Sequence, residues 1–387
     1  MNTTEDFSYS AGEFVNDTLM ENVTEIQIIS GHHEADEYVE AVIVPILFAV
    51  IFLIGVIGNT VLIFTVLRNK SMRNTPNIFV VSLSVGDLLL LLFSVPFSST
   101  FYTMKSWPFG EGVCKFNEFM QTLSVGVSVF TLTALSGDRF IAIVHPMSKH
   151  TGKPTLITVG TVIGIWILSI MLAIPDAVTS KEKLLPLYNE GNTTMAIAIC
   201  MVYPLDMEPA WYGKFHSMAK FCVFFAIPLL IIAIFYAMMA QILILSSREM
   251  PCESVKDSVM NQQQKRQVQA RLKVAKVVLS FVFIFVICWL PRHISILIHH
   301  FSGIEFNMFL HVFKITSFCL TYIYSCVNPY ALYFLSSQFR KYYNRYLFCC
   351  CPKQYGRLST EQSNMYHFNS TVRSTTYTGV VQSQSMC

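Results

Sequence analysis

Asp87 lies within an apolar run, 77–103, where every neighbour within a helical turn is aliphatic, aromatic or small. An ionisable group in the middle of an apolar helix costs about 2.5–3.5 kcal/mol or more to insert, so it marks a function by default. The competing reading is a protonated carboxyl that only glues helices together. At the end of another apolar run Asp138 and Arg139 stand side by side. Either they hold each other as an ion pair or the arginine snorkels to a polar interface. Of the eleven cysteines, most fall in apolar runs or near the C-terminus. The pairs His32-His33 and His299-His300 read as surface residues. No His-Glu-x-x-His or similar cluster is present, so neither a metal site nor an enzyme is expected.

The elements that must position these groups are membrane spans. Of 387 residues, 53% are hydrophobic and 13% charged, about half the charged share of a soluble domain. A net charge of +3 is too small to suggest a nucleic-acid partner. A span needs about 20 mostly apolar residues, and seven runs qualify: 41–67, 77–103, 113–144, 155–175, 214–246, 272–299 and 308–334. An all-α bundle of seven transmembrane helices over 41–334 follows, its partner the lipid bilayer. The first 44 residues hold no Lys or Arg. Basic residues gather instead at Arg68, Lys70 and Arg73, at Arg139, Lys149 and Lys153, between Arg248 and Lys276, and at Arg340, Lys341 and Arg345. The positive-inside rule then puts the N-terminus outside and the C-terminus in the cytosol of a multi-pass plasma-membrane protein. With no basic stretch leading an apolar one at the N-terminus, no cleaved signal peptide is expected and the first span directs insertion.

Glycosylation sequons fit this orientation: Asn2, Asn16, Asn22 and Asn192 all lie on the expected outer side, three of them in the 1–40 segment. Cys114 and Cys200 are the two cysteines at the outer edge or in an outer loop, where oxidising conditions favour a bridge between them. After the last run, residues 335–351 read as a helix on the membrane surface, with Phe339, Tyr342, Tyr343, Tyr346 and Leu347 interspersed with Arg340, Lys341 and Arg345. Cys349, Cys350 and Cys351 stand where palmitoylation would add an anchor, or are plain thiols. The segment 352–387, rich in Ser, Thr, Gln and Tyr, is expected to be a disordered cytoplasmic tail.

Asn59, Ser128, Ser325 and Asn328 are the polar residues of other spans best placed to meet Asp87, forming a cluster able to accept a cation. Pro96, Pro228, Pro291 and Pro329 each remove a backbone donor inside an apolar run and loosen the helix there. Several such hinges allow two packings close in energy, which a switch requires.

In order along the chain, Gly58-Asn59, Asp87, Cys114, Asp138-Arg139-Phe140, Trp166, Pro228, Phe285 with Cys288-Trp289-Leu290-Pro291, and Asn328-Pro329-Tyr330-Ala331-Leu332-Tyr333 resemble the motifs of rhodopsin-like G-protein-coupled receptors. The resemblance covers about residues 40–350. Within that family the run SVGVSVFTLTALS from Ser124 to Ser136, AIPDAV from Ala173 to Val178, and His216-Ser217-Met218-Ala219 look like the bombesin and gastrin-releasing peptide receptor branch, the arthropod CCHamide receptors in particular.

The resemblance implies a receptor for an extracellular neuropeptide, bombesin-like or CCHamide-like, that activates a heterotrimeric G protein. Gq, phospholipase C and calcium are the implied pathway, with receptor kinases and arrestin as further partners. Arg139, restrained by Asp138, would be released to the G protein when the sixth helix swings outward. Phe285, Trp289 and Pro291 would couple ligand contact to that swing, and Asn328, Pro329 and Tyr333 would rearrange in the seventh helix. No cofactor is required; sodium near Asp87, Ser128 and Asn328 is an implied modulator. Three departures stand out: Phe140 follows the Asp-Arg pair where Tyr is commoner, Tyr324 replaces an Asn, and His299 and Phe318 replace arginines of bombesin receptors.

Gln121 occupies the position where aminergic receptors carry an Asp, so an amine would lack its counter-ion. Tyr322 occupies the position of the retinal-binding Lys of opsins. Gln121, Arg292, His293, His299, Phe318 and Tyr322 are therefore read as the ligand-binding set, suited to a peptide end. A receptor for another peptide class is the alternative. A transporter or channel would show internal repeats or several midplane charges; the reading finds no repeat and a single midplane carboxylate.

Overall fold

The computed structural model describes residues 34–104, 106–144, 154–188, 194–202, 211–248, 257–301 and 308–347. Among them, seven helices are long and apolar enough to cross a membrane: Ala41–Arg68, Thr75–Met104, Gly110–Val144, Leu156–Thr179, Tyr212–Ile242, Leu272–Phe301 and Met308–Leu335. Helices dominate because a chain in lipid must satisfy every backbone donor and acceptor within itself. The outward faces of the first, fourth and fifth spans carry exposed Ile43, Ile46, Leu53, Ile157, Ile163 and Leu230, side chains that lipid solvates. The third span sits at the centre, packed against the second, fourth, fifth and sixth, while the first rests on the second and seventh.

Polar contacts and small residues fix the pairs of helices. Asn59 Nδ2 donates to the Ser325 carbonyl at 2.8 Å, and Tyr330 Oη to the Ile54 carbonyl at 3.1 Å. Gly58 permits this approach of the first span to the seventh: a Cβ there would stand 2.9 Å from Pro329 Cγ. Trp166 Nε1 donates to Ser82 Oγ at 3.0 Å, tying the fourth span to the second. Asn74 caps the helix Thr75–Phe93 by accepting from the Asn77 amide, with Pro76 in its first turn.

Three features were not legible in the apolar runs. The second run is two helices, Thr75–Phe93 and Val95–Met104, interrupted at Ser94 just before Pro96. A Pro amide cannot bond back to the preceding turn, so the break belongs at that point. In the fifth run a π-helical turn, Cys222–Ala226, separates Tyr212–Phe221 from Ile227–Arg248. The sixth helix extends over Asp257–Phe301, some four turns beyond its apolar part.

Between the fourth and fifth spans the chain forms an antiparallel hairpin, β1 (Lys181–Tyr188) and β2 (Thr194–Met201), with Glu182 opposite Cys200. Cys200 is bonded to Cys114 at the start of the third span, as the sequence suggested. Beside the bridge, Trp107 donates its amide to the Ala198 carbonyl at 2.7 Å and its indole nitrogen to the Gly110 carbonyl at 3.0 Å. Gly110 itself has φ +76°, a conformation that favours glycine. Trp107, Cys114 and Ala198 pack with Phe97, Phe101 and Phe109 into an apolar plug that anchors the hairpin to one end of the bundle.

A short helix covers Ser337–Leu347 after the last span. From Gln338 onward it belongs to a second compact unit, within which the rings of Phe339 and Tyr343 lie 6.2 Å apart. Asn2, Asn16, Asn22, Asn192, Cys349, Cys350, Cys351 and the tail 352–387 lie outside the described residues.

Candidate functional site

The hairpin end of the bundle holds a continuous polar chain that crosses three spans. Tyr322 Oη sits between Ser94 Oγ and Ser98 Oγ, each at 2.9 Å. Ser94 donates to Asn117 Oδ1 at 2.8 Å, which leaves Tyr322 to donate to Ser94 and to accept from Ser98. Asn117 Nδ2 then donates to Glu118 Oε1 at 3.1 Å, and Gln121 Nε2 to the same oxygen at 3.4 Å. The break at Ser94 serves this chain, since it sets a hydroxyl of the second span against both the third and the seventh.

A second polar group joins the third, fourth and fifth spans. Asp176, fully buried, accepts from Lys220 Nζ at 2.6 Å and from Thr122 Oγ1, and His216 Nε2 lies 3.6 Å from its other oxygen. Lys220 also reaches Thr122 at 3.1 Å. Glu118 and Asp176 thus add two carboxylates near the hairpin end of the spans to the midplane Asp87. A run bounded at 175 leaves Asp176 out, and Glu118 lies in the polar first part of the third run, with Lys115, Asn117 and Gln121. The same insertion-cost argument that singled out Asp87 applies to Glu118 and Lys220.

Of the residues read as ligand-binding, the structure brings Gln121 and Tyr322 into the polar chain. Arg292 lies over the Phe318 ring, its guanidinium carbon 5.0 Å from the ring centre, and Phe318 stands edge-on to Tyr322 at 5.1 Å. His293 is buried among Phe221, Phe225 and Trp289. His299 is exposed nearer the helix end, its ring 5.1 Å from His300.

From His293 an aromatic column runs inward. Trp289 is 6.4 Å from His293 and 5.9 Å from Phe285, and both Trp289 and Phe285 meet Tyr324 edge-on, at 6.3 and 5.6 Å. Phe225, in the π-helical turn, stacks on Phe285 at 6.1 Å. Tyr324 thus links the column to the polar cluster at the bundle centre. There Asn328 Nδ2 donates to Asp87 Oδ2 at 2.8 Å, with Ser325 beside Asp87 and Ser128 beside Tyr324. Asp87 Oδ1, Ser325 Oγ and Asn328 Oδ1 are buried and accept no hydrogen bond from the described residues. These are oxygen donors of the kind a hard monovalent or divalent cation takes, so the residues fit a small cation.

At the end opposite the hairpin, Arg139 is buried and paired with Asp138. Phe140 stacks on Phe235 at 5.2 Å, and Tyr236 Oη donates to the Ala275 carbonyl at 2.7 Å, closing the fifth span onto the sixth. Tyr333, in the seventh span, stands edge-on to Phe334 at 5.3 Å. Pro291 and Pro329 lie inside their helices. No group of three or more His, Cys, Asp or Glu able to hold a metal occurs among the described residues.

Comparison with known proteins gives a consistent picture. Residues 58–333 match the model of the family described as 7 transmembrane receptor (rhodopsin family). The chain is 44% identical over 321 residues to the Neuropeptide CCHamide-1 receptor of Drosophila melanogaster, a match over 80% of this chain and 61% of that receptor. It is 40% identical over 315 residues to a bombesin receptor of Bombina orientalis, covering 80% of this chain and 76% of that one. The chain thus spans less than two thirds of the Drosophila receptor's length.

Proposed function

Because this chain belongs to the rhodopsin family of seven-transmembrane receptors, whose members are receptors and not enzymes, we propose that it recognises an extracellular neuropeptide of the CCHamide-like or bombesin-like kind and activates a heterotrimeric G protein. The observation that carries this reading is the polar chain at the hairpin end of the bundle. Its buried part, Ser98, Tyr322, Ser94 and Asn117, holds the half-buried Glu118 and Gln121 in place, and Arg292 and Phe318 are likewise half-buried. A peptide end needs such a surface: a few directed hydrogen bonds to fix orientation and apolar area for affinity.

The route from the hairpin end to the G protein follows the aromatic column. A ligand pressing on Gln121, Arg292, His293, Phe318 or Tyr322 would bias the packing of Trp289 against Phe285 and Tyr324, one turn from Pro291. Outward movement of the sixth helix then breaks the Tyr236 bond to Ala275 and frees Arg139 from Asp138 for the G protein, while Asn328, Pro329 and Tyr333 rearrange. The ligand needs only a differential affinity of a few kcal/mol for the open packing. A sodium ion, held by Asp87, Ser128, Ser325 and Asn328, would supply positive charge that favours the closed packing.

In this account the N-terminus is extracellular, with Asn2, Asn16, Asn22 and Asn192 glycosylated, and the C-terminus is cytoplasmic. Cys349, Cys350 and Cys351 carry palmitate, and Ser359, Thr360, Ser374, Thr375 and Thr376 are sites where receptor kinases prepare arrestin binding. Coupling is to Gq, phospholipase C and calcium. The test is cytosolic calcium in cells expressing the chain, challenged with amidated and disulfide-cyclised peptides that include CCHamide and bombesin types. A nanomolar response that Arg139→Ala abolishes is expected. Silence to every peptide from receptor verified at the surface would overturn the ligand branch or the Gq assignment.

A further inference from the structure

Glu118 and Asp176 both lie in the hairpin half of the bundle, and the fold treats them differently. Asp176 is fully buried and neutralised by Lys220, with Thr122 completing its contacts. Glu118 is part-exposed and receives hydrogen bonds on Oε1 alone, from the neutral amides of Asn117 and Gln121. Among the described residues no Lys, Arg or His nitrogen pairs with it. The two cations whose fields reach Glu118 are Lys220 and Arg292. Lys220 is held by Asp176, and Arg292 rests on the Phe318 ring.

A carboxylate in low-dielectric surroundings is costly unless a positive charge accompanies it. Here the protein supplies two neutral donors, both on one oxygen, to a half-buried carboxylate. The carboxylate is also held in place: Asn117, which donates to it, is itself fixed through Ser94 and Tyr322. Such a group is prepared for a cation that comes from outside the chain.

We propose that Glu118 is the docking point for a positively charged group of the ligand, an amine or guanidinium of a basic side chain or of a free peptide N-terminus. The ligand cation completes the ion pair that the fold leaves open, and Arg292, of the same charge as that group, disfavours the reversed pose. Gln121 shares the Glu118 oxygen and so senses the same event. This inference rests on reading the hairpin end as a peptide site.

The experiment has two arms. In the first, purified ligand-free receptor carrying Glu118→Gln is melted beside wild type and Lys220→Met. An unpaired carboxylate predicts that Glu118→Gln melts no lower than wild type. A drop as large as that of Lys220→Met makes Glu118 a structural ion-pair member and overturns the proposal. In the second, the probe is synthetic Drosophila CCHamide-1 peptide and analogues in which each Lys, each Arg and the α-amine is neutralised singly. Glu118→Gln is expected to weaken the parent peptide tenfold or more, and one analogue to show the same loss on wild type with no further loss on the variant. Equal loss for the parent and every analogue, or no loss at all, overturns the proposal. A wild-type receptor silent to the parent peptide counts against the ligand branch instead, and the melting arm still decides the state of Glu118.

Discussion

Replacing Lys220 by Met removes the ammonium paired with Asp176 while retaining most of the side-chain volume. Asp176 is fully buried, and what remains to it is the Thr122 hydroxyl and His216, 3.6 Å from its other oxygen. Breaking a buried pair by removing one partner costs about 3–5 kcal/mol, because the remaining charge is left desolvated. The Lys220 side chain is 25% exposed, so water can reach the pair and the lower end, about 3 kcal/mol, applies. At about 2 °C per kcal/mol for a chain of this size, the apparent melting temperature of the solubilised receptor falls by roughly 6 °C. The assay is a thermal scan of detergent-purified protein at one scan rate, since unfolding of such a protein is irreversible and only ranks are comparable. The double variant Lys220→Met with Asp176→Leu removes both charges and regains most of the loss, as apolar replacements of buried pairs do. A single variant as stable as wild type, or a double variant no better than the single, refutes the reasoning.

Gly58→Val places side-chain atoms against Pro329, where even a Cβ stands at 2.9 Å, and is expected to abolish most surface expression; Gly112→Ala, with nothing within 4 Å, leaves the flow-cytometry signal unchanged. Cys200→Ser frees the hairpin from the third span; with a sequence separation of 86 the loop-entropy bound is about 4–5 kcal/mol, and radioligand binding is expected to disappear before folded protein does. Tyr322→Phe strips Ser94 and Ser98 of their common partner, at about 1–2 kcal/mol, which reads as a tenfold loss of peptide potency at normal expression. Asp87→Asn removes the charge from the central cluster, so agonist affinity that falls on replacing choline by sodium in wild type becomes insensitive to the exchange.

The spans were legible because lipid leaves the chain little choice: apolar runs of the right length become helices, and seven of them appear where the sequence placed them. The Cys114–Cys200 bridge was legible for a related reason, as few cysteines lay on the outer side. The hairpin was not. Its strands carry no clean alternation, and they are held by the bridge and by the Trp107 amide bond to Ala198, both remote in sequence. The interruption at Ser94 falls beside Pro96, which the sequence marked as a point where the helix loosens. The π-helical turn at Cys222–Ala226 precedes Pro228 but has no residue signature of its own.

The candidate site was legible in part. Asn328 meets Asp87 as read, while Gln121 and Tyr322 share one polar chain and Arg292 rests on Phe318. Asn59 instead bonds the Ser325 carbonyl, so its role is to join the first span to the seventh. Glu118 and Lys220 had weak signals: unlike Asp87, each lies among other polar residues near one end of its run. Tyr324, noted in the sequence as a departure, proves to be the ring that carries the aromatic column to the Asp87 cluster.

A peptide bound at the hairpin end is proposed to open the opposite end of the bundle to a G protein through Arg139. The decisive assay uses purified receptor in lipid nanodiscs and follows guanine-nucleotide exchange on a purified Gq heterotrimer with and without CCHamide-1 peptide. Peptide-dependent acceleration is expected with wild type and none with Arg139→Ala, while both bind the peptide. Exchange that the peptide accelerates equally in the two proteins, or peptide binding that leaves exchange by wild type unchanged, would contradict the proposal.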